Sequence, residues 1–455
     1  MTERRLRWGL CGVKLLIHLM LAGRYGYFRD ELYFLDCGRH LDWGYVDHAP
    51  LIGLVARLAL LMGGSLRALR IFPALAGALL VALTMLLAGR LGAGRFGQGV
   101  AGLAVVVAPI YLGSDSILSM NAFEPLFWIG CVHLLVRIIE SGDSRLWIGI
   151  GLLAGLGLMN KHSTAFFLVA LAAGLLLTPL RSELRRRWAW LAAAIALVIF
   201  LPNLLWQVAH GFPTLEDLQN VAREGKNVVL GPVEFVGQQI ILLHPVLLPL
   251  WLGGLVFLFA ARAGRYRSLG WTYLVLAVTL FAMKGKNYYL APIYPMLFAA
   301  GATGLEEGLA RWRATAGRAW PKAAIVGLVL VTGGATAPLA LPILSPAMYV
   351  ACEAALGFGP PRTETHHRGP LPQLFGDQFG WEELVAEVAR IYDSLPAEER
   401  ARTAIFANNY GEAGAVNLFG PRLGLPPAIC AHQTHFFWGP PDFRGDIVIV
   451  LQGDR

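Results

Sequence analysis

Apolar stretches alternate with short polar connections along residues 1–343 of the chain. A helix needs about 17 to 25 apolar residues to cross a bilayer, and by this criterion the sequence predicts about eleven membrane-spanning helices. The predicted spans are 8–23, 71–89, 98–114, 122–139, 147–160, 164–180, 189–206, 237–260, 269–283, 288–304 and 323–343.

The composition indicates the same class of protein. Hydrophobic residues make up 56% of the 455 residues and charged residues only 15%, whereas about a quarter of a soluble domain is charged. This excludes a water-soluble enzyme, since so apolar a chain cannot cover its surface with polar groups. The net charge of +8 comes mostly from arginines between the apolar stretches, so it does not indicate a nucleic-acid partner. The five cysteines have no metal-binding spacing.

Lysine and arginine cluster in every second connection. Basic residues such as Arg4 and Arg5 precede the first span, and others follow the second, fourth, sixth, eighth and tenth spans. This positive-inside pattern predicts a cytoplasmic N-terminus. An odd number of spans then places the C-terminal residues on the outer face.

The connections that face outward on this topology carry the unusual polar residues. The first of them, about residues 24–70, contains Asp30, Glu31, Asp47 and His48 among aromatic residues. Acids beside a bilayer cost free energy unless they are fully solvated or bind something. A solvated loop and a binding site are both compatible with each acid, and the aromatic neighbours favour the binding site.

Three further candidates follow along the chain. Glu124 lies about one turn inside the fourth span, where an acid is either functional or hydrogen-bonded for helix packing. Lys161 and His162 follow in the next outer connection, and the lysine is either an interfacial anchor or a ligand-binding group. His244 lies inside the eighth apolar stretch.

The segment MKGKNYYLAPIYP brings Lys284, Lys286, Tyr288 and Tyr289 to the outer ends of the ninth and tenth spans. Lysines in an outward-facing connection are contrary to the positive-inside rule and indicate a bound anion such as a lipid phosphate, although interfacial anchoring is an alternative.

Acids and bases on one face of the membrane suit a transfer reaction. A carboxylate can accept the proton of an attacking hydroxyl, and cations can stabilise a departing phosphate. The short inner connections contain no nucleotide-binding loop.

The order of these motifs resembles the bacterial branch of glycosyltransferase family 39, which has the GT-C fold and is related to protein O-mannosyltransferases and the aminoarabinose transferases that modify lipid A. The resemblance covers roughly residues 1–305 and rests on the Asp-Glu pair, GYVDHAPL, the acid of the fourth span, NKHS, HP and KGKNYYLAPIYP. It implies transfer of a sugar from a polyprenyl-phosphate carrier to an acceptor on the outer face of the bacterial inner membrane, usually with inversion.

The resemblance also implies roles for individual residues. Asp30 would be the catalytic base, and Glu31 would position the acceptor or its partner groups. Asp47 and His48 lie in a stretch similar to the family's GYxDxPPL, from which His48 departs, and Glu124 stands where many relatives have Asp. Lys161, the two later lysines and Tyr288 resemble groups that hold the carrier phosphate. We therefore expect Asp30 and Glu31 to be catalytic, and the following residues to bind substrate: Asp47, His48, Glu124, Lys161, His162, His244, Lys284, Lys286, Tyr288 and Tyr289.

The expected partners are a polyprenyl-phosphate sugar donor, a glycan, lipid or protein acceptor, and the lipid bilayer. We expect no cofactor and no metal site. Some relatives bind a divalent cation, which stays an open alternative, but no clear ligand spacing is present. A secondary transporter is a competing hypothesis, although the inverted repeats typical of that class are not evident. A non-catalytic lipid-binding membrane protein and a phospholipid head-group transferase are further alternatives.

The chain from residue 344 onward has no spanning stretch. TAIFA (403–407) and DIVIVL (446–451) predict strands, and residues 380–395 predict an amphipathic helix. The predicted fold is thus an all-α polytopic membrane bundle of the GT-C type (1–343) with a small C-terminal α/β extracytoplasmic domain (344–455).

The NNYGEAG segment between strand and helix is either a ligand site or, as we prefer, a capped turn. For the HQTHFFWGPP segment, aromatic packing is preferred to metal binding.

Overall fold

The computed structural model describes residues 2–225, 228–312, 318–357, 369–440 and 446–451, and most of them are helical. The helices up to residue 209 are α1 (Glu3–Leu21), α2 (Arg29–Arg39), α3 (Leu51–Leu61), α4 (Leu66–Arg90), α5 (Arg95–Val107), α6 (Pro109–Ser114), α7 (Met120–Ser141), α8 (Trp147–Asn160), α9 (Thr164–Leu176) and α10 (Arg187–Ala209). They are followed by α11 (Pro213–Arg223), α12 (Pro232–Leu243), α13 (Leu248–Phe259), α14 (Arg267–Ala282), α15 (Tyr294–Arg311), α16 (Trp320–Thr336) and α17 (Pro346–Leu356).

The C-terminal part alternates between helices and strands. Its elements are α18 (Gln373–Gly376), α19 (Trp381–Asp393), α20 (Ala397–Arg400), β1 (Thr403–Ala407), α21 (Tyr410–Phe419), β2 (Ala428–Cys430), α22 (His435–Trp438) and β3 (Ile447–Val450). Both predicted strands and the predicted amphipathic helix are therefore present at the expected positions.

Every predicted span falls mostly on helical structure, but several are interrupted at prolines. The span 164–180 consists of α9 and the start of a 3₁₀-helix, Pro179–Arg185, which meet at 118°. The span 98–114 divides into α5 and α6 before Pro109, and the span 237–260 divides into α12 and α13, which meet at 100° near Pro245. The span 288–304 begins as a 3₁₀-helix, Asn287–Ile293, that contains Pro292. Proline has no N–H to donate and clashes with the preceding turn, so an apolar stretch alone does not predict a straight helix.

Among the described residues, four helices are long and apolar enough to cross a membrane, and six if each bent pair counts as one span. These four are α4, α7, α10 and α16. The other apolar helices are shorter than the bilayer requires of a single straight segment. The chain has the architecture of a multi-pass membrane protein, and the count of about eleven spans stays a prediction.

The apolar side chains differ in what they face. In α4 and α7 more than half of the spanning window is buried inside the bundle, whereas in α10 and α16 the buried share is 17% and 11%. Side chains such as Val198 and Val331 are exposed on those outer helices. Contiguous exposed apolar surface of this kind marks contact with lipid, so α10 and α16 form part of the lipid-facing surface of the bundle.

Small residues let α13 and α15 pack closely. A Cβ atom at Gly254 would lie 2.1 Å from the carbonyl oxygen of Leu297, and one at Gly301 would lie 1.9 Å from that of Leu250. Both positions therefore require glycine. Close approach at small residues is the common way in which helices associate without a hydrophobic driving force from water.

The C-terminal strands form a parallel sheet in the order β2-β1-β3. The register pairs Ile405 with Ala428 and Ala404 with Val448. The helix after β1, α21, packs directly on α2, since a Cβ atom at Gly414 would lie 2.8 Å from the carbonyl carbon of Leu32. The C-terminal sheet and the connection between α1 and α4 thus lie at the same end of the bundle. The face of the membrane that this end occupies, and a domain boundary between residues 343 and 344, stay predictions.

A buried ion pair holds this end together. Glu31 on α2 and Arg70 on α4 are 0% and 2% exposed, and their closest oxygen and nitrogen atoms are 2.8 Å apart. The Glu31 carboxylate also accepts hydrogen bonds from the backbone N–H groups of Phe28 and Leu118. Arg70 also donates to the Ala22 and Gly26 carbonyls and to Gln378. One pair of side chains therefore ties together the end of α1, the start of α2, the segment before α7 and the C-terminal part.

We expect Arg70→Met to lower the free energy of unfolding by about 3–5 kcal/mol, because it leaves the Glu31 carboxylate buried without its charge partner. The double variant Glu31→Leu/Arg70→Met should regain part of this loss. Arg67→Met, at an exposed position three residues earlier on α4, is the matched control. Thermal unfolding of the four proteins in detergent measures the effect, and equal stability of the Arg70 and Arg67 variants would contradict it.

Candidate functional site

Asp30 lies in the first turn of α2, one residue before the buried ion pair, and its side chain is 34% exposed. Its Oδ1 atom accepts a hydrogen bond of 2.7 Å from the hydroxyl of Tyr410, the first residue of α21. The Arg29 guanidinium lies 3.5 Å from the same oxygen and 5.4 Å from the centre of the Tyr410 ring. Asp30 is thus held from the C-terminal part while its carboxylate stays accessible.

Asp47 joins Asp30 through two tyrosines. The Tyr33 hydroxyl donates to Asp47 Oδ1 at 3.1 Å and lies 2.6 Å from the hydroxyl oxygen of Thr434. The rings of Tyr33 and Tyr410 are 5.1 Å apart. We call Asp30, Tyr33, Asp47, Tyr410 and Thr434 the Asp30 cluster.

Burial sets the protonation of this cluster. It raises the pKa of the Tyr33 and Tyr410 hydroxyls well above the ordinary value, so both remain donors at neutral pH. Burial also raises the pKa of the Asp47 carboxyl. His48, 3.8 Å away, and the Tyr33 hydroxyl oppose this effect, while the Asp30 carboxylate adds to it. The ionisation of Asp47 therefore depends on the charge of Asp30.

Glu31, the second predicted catalytic residue, is enclosed by hydrogen-bond donors. Both of its carboxylate oxygens accept hydrogen bonds from Arg70 and from backbone N–H groups, and the side chain is fully buried. No oxygen is left to contact a substrate directly. Successive helical residues point about 100° apart, which is why Asp30 and Glu31 face different surroundings. The catalytic role expected of Glu31, as a positioning group beside Asp30, stays a prediction.

A second cluster surrounds Lys161, which follows α8. The Lys161 ammonium lies 2.8 Å from Asn121 Oδ1 and 3.1 Å from Glu124 Oε2. It also lies 4.6 Å and 5.7 Å from the ring centres of Tyr289 and Tyr288. We call these five residues the Lys161 cluster. The predicted residues Glu124, Lys161, Tyr288 and Tyr289 are therefore brought together.

Lys161 keeps its charge in this setting. Burial opposes the charged form, but the Glu124 carboxylate and the two tyrosines more than offset it, so the pKa is raised. A lysine ammonium has three N–H donors, and two of them are directed to Asn121 and Glu124. The arrangement leaves one donor for an anion.

His162 connects the two clusters. Its Nε2 atom lies 3.0 Å from Asn203 Oδ1, and the Asn203 amide donates to the Trp43 carbonyl in the connection that carries Asp47. Burial lowers the pKa of His162, and the electrostatic influence of His48 lowers it further. Asn203 therefore links His162, next to Lys161, to the connection that carries Asp47.

The three remaining predicted residues come from two later connections of the chain. His244 is buried at the bend between α12 and α13, where its Nδ1 accepts from the Val246 N–H. Lys284 is exposed on the turn after α14 with a left-handed backbone, φ 55°. Lys286 is half-buried, two residues before Tyr288. Proximity along the chain thus favours Lys286 over Lys284 as a neighbour of the Lys161 cluster.

The sequence reasoning missed the contributions of Tyr33, Tyr410, Thr434 and Asn121. Tyr410 and Thr434 come from the segments after β1 and β2, and in a parallel sheet the carboxyl ends of the strands meet at one edge, where ligands commonly bind. That rule applied to the NNYGEAG segment would have found Tyr410. The preferred interpretation of this segment as a capped turn is also correct, since the Asn409 side chain caps α21.

The overall architecture is similar to solved membrane glycosyltransferases. ArnT from Cupriavidus metallidurans bound to undecaprenyl phosphate superposes with a TM-score of 0.61 at 16% identity, covering 92% of this chain and 85% of that one. The oligosaccharyltransferase of Archaeoglobus fulgidus in the apo form has a TM-score of 0.53 at 11% identity, covering 93% of this chain and 64% of that one. The fold is therefore that of the GT-C glycosyltransferases.

Sequence comparisons lead to the same class. Residues 47–206 match the family described as dolichyl-phosphate-mannose-protein mannosyltransferase. The lipid A galacturonosyltransferase RgtD of Rhizobium johnstonii is 27% identical over 277 residues, which cover 58% of this chain and 56% of that protein. The chain thus matches little more than half the length of this curated relative. These relatives are glycosyltransferases, and the resemblance inferred from the sequence motifs is confirmed.

The raised pKa of Asp47 predicts a pH-dependent stability effect. Ionising this carboxyl costs the folded state free energy, so the cost is present above the raised pKa and vanishes as the pH falls towards the unfolded value of about 3.9. We expect Asp47→Asn to raise the melting temperature at pH 7.5, by an amount that shrinks towards pH 4. Thermal unfolding across this range measures it, with Asp393→Asn at an exposed position as control. A lower melting temperature of Asp47→Asn at pH 7.5 would contradict it.

Proposed function

We propose that this protein transfers a sugar from a polyprenyl-phosphate carrier to a hydroxyl-bearing acceptor at the outer face of the bacterial inner membrane. The observation that carries the proposal is that an accessible carboxylate, Asp30, and a partly buried lysine, Lys161, lie at the same end of an apolar helical bundle. The short segment from Leu118 to Asn121 contacts both Glu31, next to Asp30, and Lys161. A lipid-linked donor needs both a lipid-facing surface and a cation at the head-group level. A hydroxyl acceptor needs a base.

In this mechanism the acceptor oxygen attacks the anomeric carbon of the sugar while Asp30 takes the hydroxyl proton. The bond between the anomeric carbon and the carrier phosphate oxygen breaks in the same step, with inversion, and the phosphate leaves with the bonding electrons. A positioned general base of this kind contributes about 10²- to 10⁴-fold to the rate. The Tyr410 hydroxyl fixes one oxygen of Asp30, which leaves the other oxygen for the acceptor.

The Lys161 cluster would hold the carrier phosphate. Its ammonium keeps a positive charge and lies over the rings of Tyr288 and Tyr289, which exclude water from one side. Charge that develops on a departing phosphate is stabilised most where a donor is preorganised and water is excluded. Glu124 and Asn121 fix the ammonium in place, and Lys286 and Lys284 would contribute at the entrance.

The comparisons support the donor class without identifying the sugar. ArnT, which shares the fold, was solved with undecaprenyl phosphate, and RgtD acts as a lipid A galacturonosyltransferase. The match to the mannosyltransferase family includes Asp47, Glu124 and Lys161. The expectation that the reaction needs no cofactor belongs to the proposal as well.

Asp30→Asn tests the base. We expect kcat to fall by about 10²- to 10⁴-fold, because an amide cannot accept the acceptor proton, while the melting temperature stays near that of the wild type. The measurement is release of radiolabelled sugar from a polyprenyl-phosphate donor in proteoliposomes that contain envelope glycans and lipids as acceptors. Asp393→Asn, exposed on α19, is the control, and full activity of the Asp30 variant would refute the role.

Lys161→Met tests the phosphate site. Loss of a charge-assisted contact worth about 1.5–3 kcal/mol should weaken binding of undecaprenyl phosphate by about 10- to 100-fold, and Lys161→Arg should retain part of the affinity. Lys322→Met, on α16, is the matched control. Competition of undecaprenyl phosphate with a labelled donor measures the affinity. Unchanged affinity in the Lys161→Met protein would exclude Lys161 from the phosphate site.

A further inference from the structure

A cavity of about 380 Å³ lies between α2, α21 and α22, beside the Asp30 cluster. Its polar wall consists of Asp36, Arg39, His40, Asn417, His435 and Trp438. The opposite wall is largely apolar and comes from the segment between α21 and β2. A concave site with one apolar wall and a few converging polar groups is typical of small-molecule binding. We call it the Trp438 pocket.

The hydrogen bonds of Asp36 determine what the pocket can recognise. Its buried carboxylate lies 2.7 Å from the Asn417 amide nitrogen and 3.1 Å from His435 Nε2, and it pairs with Arg39. Since a carboxylate only accepts hydrogen bonds, His435 donates to Asp36 from Nε2, and in this tautomer Nδ1 is an acceptor. This Nδ1 atom is buried and has no hydrogen-bond partner among the described residues. A buried acceptor of this kind is complementary to a hydroxyl donor.

The remaining features indicate an uncharged ring. The one acid and the one arginine that line the pocket pair with each other, so these two residues give the pocket no net charge. The Trp438 ring is half-buried and stacks at 4.5 Å on His40, with the His435 ring 4.7 Å away at a steep angle. A pyranose combines an apolar face of C–H groups, which fits an aromatic surface, with a rim of hydroxyls, which fits the His435 acceptor and the Asn417 amide.

The pocket adjoins the proposed reaction site. Asp36 follows Asp30 by six residues, a rise of about 9 Å along a helix. Tyr33 lies between them, with its ring 5.1 Å from Tyr410, which binds Asp30, and 5.6 Å from His435, which binds Asp36. A ligand in the Trp438 pocket is therefore close enough for a neighbouring unit of the same molecule to reach Asp30.

We propose that the Trp438 pocket binds a neutral sugar ring of the acceptor, which makes the acceptor a glycan or glycolipid with at least two sugar units. One unit occupies the pocket, and a hydroxyl of the next unit is presented to Asp30. This inference rests on the proposed function for the identity of the ligand as acceptor. The pocket itself is independent of the reaction.

Binding of N,N′-diacetylchitobiose to the purified protein, followed by saturation-transfer NMR and titration without any donor, tests the pocket. We expect His435→Gln, whose amide can still donate to Asp36 but lacks the Nδ1 acceptor, to weaken binding at least fivefold. Trp438→Leu should weaken it similarly. Trp320→Leu, at an exposed position on α16, should bind as the wild type does.

Several outcomes would overturn the inference. They are absence of saccharide binding by the wild type, unchanged binding in both pocket variants that retain the wild-type melting temperature, or tighter binding of glucuronate or inorganic phosphate than of the neutral disaccharide. Displacement of the disaccharide by undecaprenyl-phosphate mannose would assign the pocket to the donor sugar and overturn the acceptor role. Because binding is measured without transfer, loss of the proposed activity and loss of the pocket are distinguishable.

Discussion

The buried ion pair between Glu31 and Arg70 is the interaction on which the arrangement of the site depends. Charges this deeply buried are tolerated only when every polar atom is satisfied, and here the carboxylate and the guanidinium also bind backbone groups from three separate segments. The pair therefore determines where α2 begins relative to the bundle. The position of Asp30, one residue earlier, is fixed by this ion pair, although Asp30 itself does not belong to the pair.

Two neighbouring acids of one helix thus lie in opposite environments. Glu31 is enclosed and saturated with hydrogen bonds, whereas Asp30 is partly exposed and has a single tyrosine donor. The sequence shows only an Asp-Glu pair, and the direction of each side chain depends on where the helix starts. The same reasoning explains Asp36, which lies further along α2 and faces the Trp438 pocket instead of Asp30.

The C-terminal part of the chain contributes side chains to the candidate site. The parallel sheet directs Tyr410 towards Asp30 and Thr434 towards Tyr33, and α21 contacts α2 through the small residue Gly414. On the membrane side, the Lys161 cluster combines residues before α9, on α7 and before α15. Donor and acceptor groups would therefore meet between two parts of the chain that are distant in sequence.

Local patterns in the sequence determine most of the fold: the helical positions, the two predicted strands and the amphipathic helix α19 all follow from hydrophobic periodicity, which acts over a few residues. The motifs also predicted the class of protein and four of the five residues of the Lys161 cluster. Tertiary structure alone decided that Glu31 is locked to Arg70 and that Tyr410 and Thr434 reach α2. These contacts join residues up to 401 positions apart, and no short-range pattern encodes a side chain's direction across such a distance.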